Sequence, residues 1–115
     1  MISKEKYRQR LKSTEVIKVL DKKEYTNGQQ RFTLKHNWLT FYYKNGMLKA
    51  EGEFANERME GEWKFYRESG QLWQVGHFLA GKKEGSWVRY ARDGQVEVAQ
   101  VFQEDKLVKK NKTEL

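Results

Sequence analysis

Residues 42–66 read YYKNGMLKAEGEFANERMEGEWKFY, and residues 66–90 read YRESGQLWQVGHFLAGKKEGSWVRY. A shift of 24 residues brings the glycines, the aromatic residues and the aliphatic residues of the two segments into register. Seven columns keep this spacing without a gap: Asn37, Gly61, Gly85; Leu39, Trp63, Trp87; Tyr42, Tyr66, Tyr90; Gly46, Gly70, Gly94; Leu48, Leu72, Val96; Gly52, Gly76, Gln100; and Phe54, Phe78, Phe102. Self-similarity at a fixed period is the signature of a repeat architecture, so it decides the fold.

Each unit contains two predicted turns. The first is a pair ending in glycine, which tolerates the positive φ of tight hairpin turns: Asn45-Gly46, Ser69-Gly70 and Asp93-Gly94. The second falls at residues 55–57, 80–82 and 104–106. The segments between turns have the length and the period-two alternation of strands. The spacing predicts an all-β fold, an antiparallel meander of stacked β-hairpins in one open, twisted sheet.

Four glycines fall inside predicted strands, where glycine normally weakens pairing: Gly52, Gly61, Gly76 and Gly85. We interpret each as space for an aromatic ring from the neighbouring strand. Trp63 and Tyr66 are three residues apart, so either a β-bulge intervenes or both faces of the sheet carry aromatic residues.

The length of 115 residues suits a single domain, residues 1–115. Its predicted parts are a basic N-terminal arm or short helix (1–15), a degenerate first hairpin (16–43, with strands at 16–25 and 30–43), the repeats (37–108) and a basic tail (109–115). The segment Tyr25–Gly28 resembles a further turn, out of register with the others.

The net charge of +7 is concentrated near the N-terminus. Residues 1–35 hold ten Lys or Arg and four acidic residues, whereas residues 36–102 hold nine of each. The basic arm consists of Lys4, Lys6, Arg8, Arg10 and Lys12. The chain contains no cysteine, which excludes disulfides and thiolate zinc sites. The arm has no apolar segment typical of a secretory signal, so we expect a cytoplasmic protein.

Groups suited to catalysis are sparse. His36 and His77 are 41 residues apart, and we interpret both as structural or surface residues. Carboxylates at Glu51, Glu53, Glu60 and Glu62 are of the type that holds a cation or works as an acid–base pair. Lysines and arginines interleave with them, which favours cross-strand ion pairs instead. We therefore expect no enzyme activity, no catalytic residue, no metal and no cofactor.

The aromatic residues fall into two groups. Those of the repeated columns are expected to pack against each other and, with the turn glycines, to build the scaffold: Phe54, Phe78, Trp63, Trp87, Tyr66, Tyr90, Gly46, Gly70 and Gly94. The aromatic residues outside these columns are the candidate binding residues: Trp38, Tyr43, Phe65 and Trp73. Tryptophan and tyrosine are common anchors of protein interfaces.

The pattern Tyr-x3-Gly-x-Leu-x3-Gly-x-Phe-x-Asn-x4-Gly-x-Trp-x2-Tyr, from Tyr42 to Tyr66, resembles the bacterial variant of the MORN repeat. That variant occurs in the YwqK-type antitoxin-repeat family. The resemblance covers residues 37–108 and implies a scaffold for contacts, mainly with proteins and in eukaryotic relatives with phospholipids. It implies little about one specific function, because folds host many functions.

We therefore expect a non-catalytic protein-binding module, with an antitoxin or immunity-type protein that neutralises a toxin as its specific form. The alternative is a module that binds phospholipid or nucleic acid through the basic arm. A nucleic-acid surface needs a basic stripe, whereas residues 36–102 are neutral overall.

Overall fold

A computed structural model describes residues 20–112. Nine strands run along this part of the chain: β1 (Phe32–Lys35), β2 (Trp38–Tyr42), β3 (Leu48–Ala55), β4 (Arg58–Tyr66), β5 (Leu72–Leu79), β6 (Lys82–Lys83), β7 (Gly85–Tyr90), β8 (Val96–Gln103) and β9 (Lys106–Lys112). They form one sheet in the order β1-β2-β3-β4-β5-β7-β8-β9, with β6 paired to β5. Every strand pairing is antiparallel, which confirms the predicted all-β meander.

The predicted arm at residues 1–15 lies outside the described residues. Within residues 20–112, no helix combines the length and the apolar character needed to cross a membrane.

The first hairpin differs from the prediction. Segment 30–43 is two strands rather than one, because the chain reverses at His36-Asn37. Both turn residues adopt positive φ, 49° and 66°, which asparagine tolerates better than most residues. The other predicted strand reaches the described residues only at its end, where Glu24 and Gln30 form an isolated bridge.

Four turns of the same construction lie at one end of the strands, at residues 25–29, 43–47, 67–71 and 91–95. We call them the first row of turns. In each, the glycine N–H donates to the carbonyl three residues earlier, as Gly46 does to Tyr43 at 2.9 Å. The side chain before the glycine then accepts a backbone N–H, as Asn45 Oδ1 does from Met47 at 3.0 Å. The turn at 25–29 is therefore a true member of the series.

The second row of turns lies at the opposite end of the strands, at residues 36–37, 56–57, 80–81 and 104–105. Both residues of each turn have positive φ, as in type I′ hairpins. The predicted second turns at 55–57, 80–82 and 104–106 are thus confirmed.

A tryptophan ring covers a glycine of the neighbouring strand in two successive units. Trp63 lies opposite Gly52, and a Cβ atom on that glycine would overlap three atoms of the indole. Trp87 covers Gly76 in the same way. The indole Nε1 of Trp63 donates to the carbonyl of Glu53 at 2.9 Å, and Trp87 makes the equivalent bond. These two glycines confirm the predicted space for rings.

Two other strand glycines have a different role, and the prediction that they also accommodate rings was wrong. Gly61 and Gly85 have φ of 66° and 75°. The atom nearest to a Cβ on Gly61 would be a carboxylate oxygen of Glu53 at 3.8 Å, and a Cβ on Gly85 would meet nothing within 4 Å. Gly61 lies in a bulge between β3 and β4, so its conformation requires glycine.

The rings on one face of the sheet form a continuous row. Phe41, Trp63, Phe65 and Trp87 follow one another with centroid distances of 6.3, 6.2 and 6.0 Å. Phe78 stands edge-on to both tryptophans, at 6.3 and 5.0 Å, a favoured aromatic geometry. The buried hydrophobic residues are Leu39, Ala50, Phe54, Trp63, Trp87 and Val98. We call this side the aromatic face.

The other side of the sheet is the polar face. It carries Glu51 and Lys64, which are paired between β3 and β4, and Tyr66, whose hydroxyl contacts Glu51. Tyr66 therefore lies on the face opposite to Trp63, so both faces carry aromatic residues. A bulge is also present: the register between β4 and β5 shifts between Phe65 and Tyr66, with Trp73 as the extra residue on β5. The Tyr66 hydroxyl donates to Glu51 Oε2 at 2.9 Å.

We predict that Gly76→Val lowers the free energy of unfolding by about 3 kcal/mol or more, because its side chain would displace the indole of Trp87. The control is Gly94→Ala, since a Cβ there meets nothing within 4 Å and only the φ of 87° opposes it. That change should cost about 1 kcal/mol. Thermal and urea unfolding of both variants measure the difference, and a Gly76→Val protein as stable as the wild type would contradict the packing role.

A second prediction concerns Tyr66. Burial, followed by the hydrogen bond and charge of Glu51, raises the pKa of Tyr66 to about 12. The folded protein therefore holds this proton more tightly than the unfolded chain, in which the pKa is about 10. The resulting stabilisation is complete below pH 10 and is lost as the pH rises towards 12.

Tyr66→Phe should accordingly lower the free energy of unfolding by about 1 kcal/mol at neutral pH. The difference from the wild type should shrink between pH 10 and pH 12. Urea unfolding of both proteins across this range measures it, and a difference of constant size would show that Tyr66 titrates equally in both states.

Candidate binding surface

Three side chains connect neighbouring turns of the first row. Each occupies the first position of its turn and donates to a backbone carbonyl of the next unit: Tyr25 Oη to Tyr42 O at 2.7 Å, Tyr43 Oη to Tyr66 O at 2.6 Å, and Arg67 Nη2 to Tyr90 O at 3.1 Å. An arginine thus takes the place of a tyrosine in the third connection. Its guanidinium carries more N–H donors than this bond uses.

An open cavity of about 650 Å³ lies beside this third connection. It is lined by Arg67, Trp73, Arg89, Ala91, Arg92 and Glu97, and we call it the arginine basin. Arg89 pairs with Gln74, which pairs with Phe65, so the three residues lie in one row across the sheet. The basin therefore opens on the aromatic face, at the end of the strands near the first row of turns.

The basin has an excess of positive charge. Three guanidinium groups face one carboxylate, a difference of two charges. The nearest approach between them, from Arg89 Nε to Glu97 Oε2, is 3.7 Å, which is longer than a hydrogen bond. The Nε atoms of Arg67 and Arg89 are enclosed and have no hydrogen-bond acceptor among the described residues. A ligand cannot reach these enclosed Nε atoms, but the side chains of Arg89 and Arg92 are partly exposed, so their remaining N–H donors are available to an anion.

The basin is built from positions at which the repeat units differ. Its columns read Tyr43, Arg67, Ala91; Lys49, Trp73, Glu97; Phe41, Phe65, Arg89; and Lys44, Glu68, Arg92. By contrast, the columns that the units share supply the turn glycines, the covered glycines and the tryptophans of the aromatic row. Apart from Arg67, which also connects two turns, the basin residues are thus side chains that the repeated contacts of the scaffold do not use.

Of the four predicted binding residues, Trp73 lines the basin. Phe65 is half-buried in the aromatic row, in contact with Trp63 and Trp87, so its role is in the scaffold. It lies opposite Gln74, the residue after Trp73. Sequence reasoning that ranked only aromatic residues missed the three arginines, although their departure from the repeated columns was the available signal.

The other two predicted binding residues lie elsewhere. Tyr43 is half-buried and forms the second connection between turns, which explains its presence structurally. Trp38 is 48% exposed and lies opposite Glu53 on the polar face, away from the basin. The basic arm residues Lys4, Lys6, Arg8, Arg10 and Lys12 lie outside the described residues.

The four carboxylates considered as a cation or acid–base site lie on or near the polar face: Glu51, Glu53, Glu60 and Glu62. Glu62 Oε1 is 3.9 Å from Lys64 Nζ, and Glu62 Oε2 is 4.0 Å from His77 Nε2. All three side chains are about half exposed, so these pairs contribute little to stability. Within residues 20–112, no group of three or more His, Cys, Asp or Glu side chains is arranged to hold a metal ion.

Comparison with known families gives one match. Residues 39–56 and 59–80 match the family described as the MORN repeat variant. Comparison with curated proteins and with solved structures gave no match. The two matched segments cover most of β2–β5, and the structure shows a third unit of the same construction, in which Trp87 covers Gly76. The resemblance first seen from Tyr42 to Tyr66 is thus confirmed at the level of the MORN repeat variant.

Proposed function

We propose that this chain is a non-catalytic protein-binding repeat module and that it binds its partner through the arginine basin. The observation that carries this proposal is the clustering of Arg67, Trp73, Arg89 and Arg92 in one open cavity. Arginine and tryptophan are the residues most enriched among those that dominate binding energy at protein interfaces. MORN repeats often bind proteins or membranes, which agrees with this use of the fold.

The scaffold suits rigid recognition. Neighbouring turns are connected by side-chain hydrogen bonds, and aromatic rings of neighbouring strands pack against each other. A surface that is ordered before binding loses less conformational entropy when the partner docks. The basin therefore suits a partner that presents one fixed, complementary patch.

For the specific role we propose an antitoxin or immunity-type protein of bacterial, cytoplasmic origin that binds and neutralises a toxin. Support comes from the resemblance of the repeats to those of the YwqK-type antitoxins and from the clustering of Arg67, Trp73, Arg89 and Arg92 in one open cavity. In such a role the module would cover the active site of its partner.

The test is co-expression with the products of the adjacent reading frames. We expect one of these products to arrest growth, the wild-type chain to restore growth, and the two proteins to co-purify. Trp73→Ala should weaken the complex at least tenfold, since truncating a central interface tryptophan costs about 2 kcal/mol or more.

Trp38→Ala removes a more exposed tryptophan, from the polar face, and should leave the complex intact. Melting curves of both variants establish that they are folded. A complex that is lost with Trp38→Ala and kept with Trp73→Ala would move the interface to the polar face. The absence of any co-purifying protein at low salt would refute the protein-binding proposal.

A second candidate function rests on β9, at the edge of the described sheet. Lys106, Lys109 and Lys110 lie on this strand together with Leu107 and Val108, which are 48% and 57% exposed. Basic residues beside exposed apolar ones favour contact with anionic phospholipid. Flotation with vesicles containing phosphatidylserine, at low and high salt, tests this candidate, because electrostatic binding to a charged surface weakens as salt is added.

A further inference from the structure

We propose that the arginine basin binds a carboxylate-bearing peptide segment, in which an acidic side chain contacts Arg89 and Arg92 and an adjacent apolar side chain packs on Trp73. This inference rests on the proposed function, because it specifies the chemistry of the protein partner. The ligand class is an acidic, extended segment with at least one apolar residue.

The basin already accommodates a carboxylate. Glu97 Oε2 lies 3.7 Å from Arg89 Nε, which shows that a carboxyl group fits beside this guanidinium. The distance is too long for a hydrogen bond, so this internal carboxylate leaves Arg89 Nε without an acceptor. The Arg89 side chain is 41% exposed, so a carboxylate from outside can contact its remaining N–H donors and form charge-assisted hydrogen bonds.

The three arginines of the basin differ in how many of their side-chain N–H donors are available to a ligand. Arg67 is committed through Nη2 to the carbonyl of Tyr90, so it supports the floor of the basin. The backbone of Arg92 is held by a hydrogen bond from the Gln71 side chain to its carbonyl, while its own side chain is exposed. Arg89 is half-buried with Glu97 as its neighbour. Arg89 and Arg92 are thus the residues positioned to contact a ligand.

The charge distribution favours a carboxylate over a phosphate or a nucleic acid. Residues 36–102 are neutral overall, so the basin is a local excess rather than part of a basic stripe. Glu97 at its edge repels a doubly charged phosphate more strongly than a singly charged carboxylate. Trp73 adds an apolar surface next to the arginines, which suits a peptide with mixed side chains.

Glu97 is then an internal competitor for the ligand. An incoming carboxylate must displace or share its position beside Arg89, so removing the Glu97 charge should increase affinity. A general electrostatic effect would instead respond equally to the loss of any glutamate.

The experiment is a fluorescence anisotropy titration of the full chain with a labelled peptide of sequence EELEE. Parallel arms use labelled KKLKK, labelled EEAEE, inorganic phosphate as a competitor, and vesicles containing phosphatidylserine. The variants are Arg89→Gln/Arg92→Gln in the basin and Lys22→Gln/Lys35→Gln as a control with the same loss of charge. Lys22 and Lys35 are exposed and lie near the β1 edge of the sheet, several strands from β7.

We expect EELEE to bind, EEAEE to bind more weakly and KKLKK not to bind. Arg89→Gln/Arg92→Gln should weaken EELEE binding at least tenfold, whereas Lys22→Gln/Lys35→Gln should change it less than twofold. Glu97→Gln should strengthen binding about threefold, whereas Glu104→Gln, at the second row of turns, should not. Melting temperatures of all variants confirm that they are folded.

Equal weakening by the two double variants would overturn the proposal, because it would show general charge attraction. Stronger basin-dependent binding of phosphate or of vesicles than of EELEE would overturn it in favour of a phosphate ligand. If EELEE fails to bind while the co-purified partner is still lost with Trp73→Ala, the acidic chemistry is wrong and the protein-binding function stands. If EELEE binds through the basin and no protein partner exists, the inferred site stands and the proposed function fails.

Discussion

The packing of an indole ring against a glycine is the constraint on which the rest of the structure depends. In a single-layer sheet, few atoms are available to cover a large side chain, and most of one face would otherwise remain in water. Because Gly52 has no side chain, the ring of Trp63 can settle onto the backbone of the neighbouring strand. Trp63 thereby becomes fully buried within the sheet that carries it.

This packing also explains the period of the repeat. Trp63 of β4 covers Gly52 of β3, and Trp87 of β7 covers Gly76 of β5. Phe78 stands edge-on between the two tryptophans. Each unit therefore buries its rings only with the help of its neighbour, as in other repeat proteins. Bulges and turns must return the chain to the same position every 24 residues for the contact to recur. Positions outside this contact are free to vary, and the arginine basin is composed of such positions.

Much of this fold could be predicted from the sequence, because the repeated columns report the contacts directly. The turns and the strand alternation follow from spacing. Space for a ring was also predicted correctly at Gly52 and Gly76, but the same reasoning failed at Gly61 and Gly85. The first hairpin could not be placed correctly. Aligning Leu39 with Trp63 puts Asn37 in a strand column, whereas the first unit lacks the bulge that separates the turn from the tryptophan in later units. The turn at 36–37 therefore comes later than residues 32–33, where a 24-residue step back from the turn at 56–57 would place it.

The binding surface was less predictable, for a physical reason. Periodicity identifies residues that the scaffold needs, and a site made of exceptions to the period leaves no pattern of its own. Trp73 was selected because it is an aromatic residue outside the repeated columns, and the arginines were not considered in that way. Arg67 and Arg89 come together only because the sheet places neighbouring units about one strand spacing apart. Their convergence depends on the register between strands, which one sequence does not specify residue by residue.

The most direct test of the central claim is the proton NMR spectrum of the glycines. A proton held over the face of an indole experiences its ring current and resonates upfield. The Hα resonances of Gly52 and Gly76 should therefore lie well upfield of those of Gly28 and Gly94, where a Cβ atom would meet nothing within 4 Å. Hα shifts of Gly52 and Gly76 in the normal range for glycine would show that the rings do not cover them and would contradict this account of the fold.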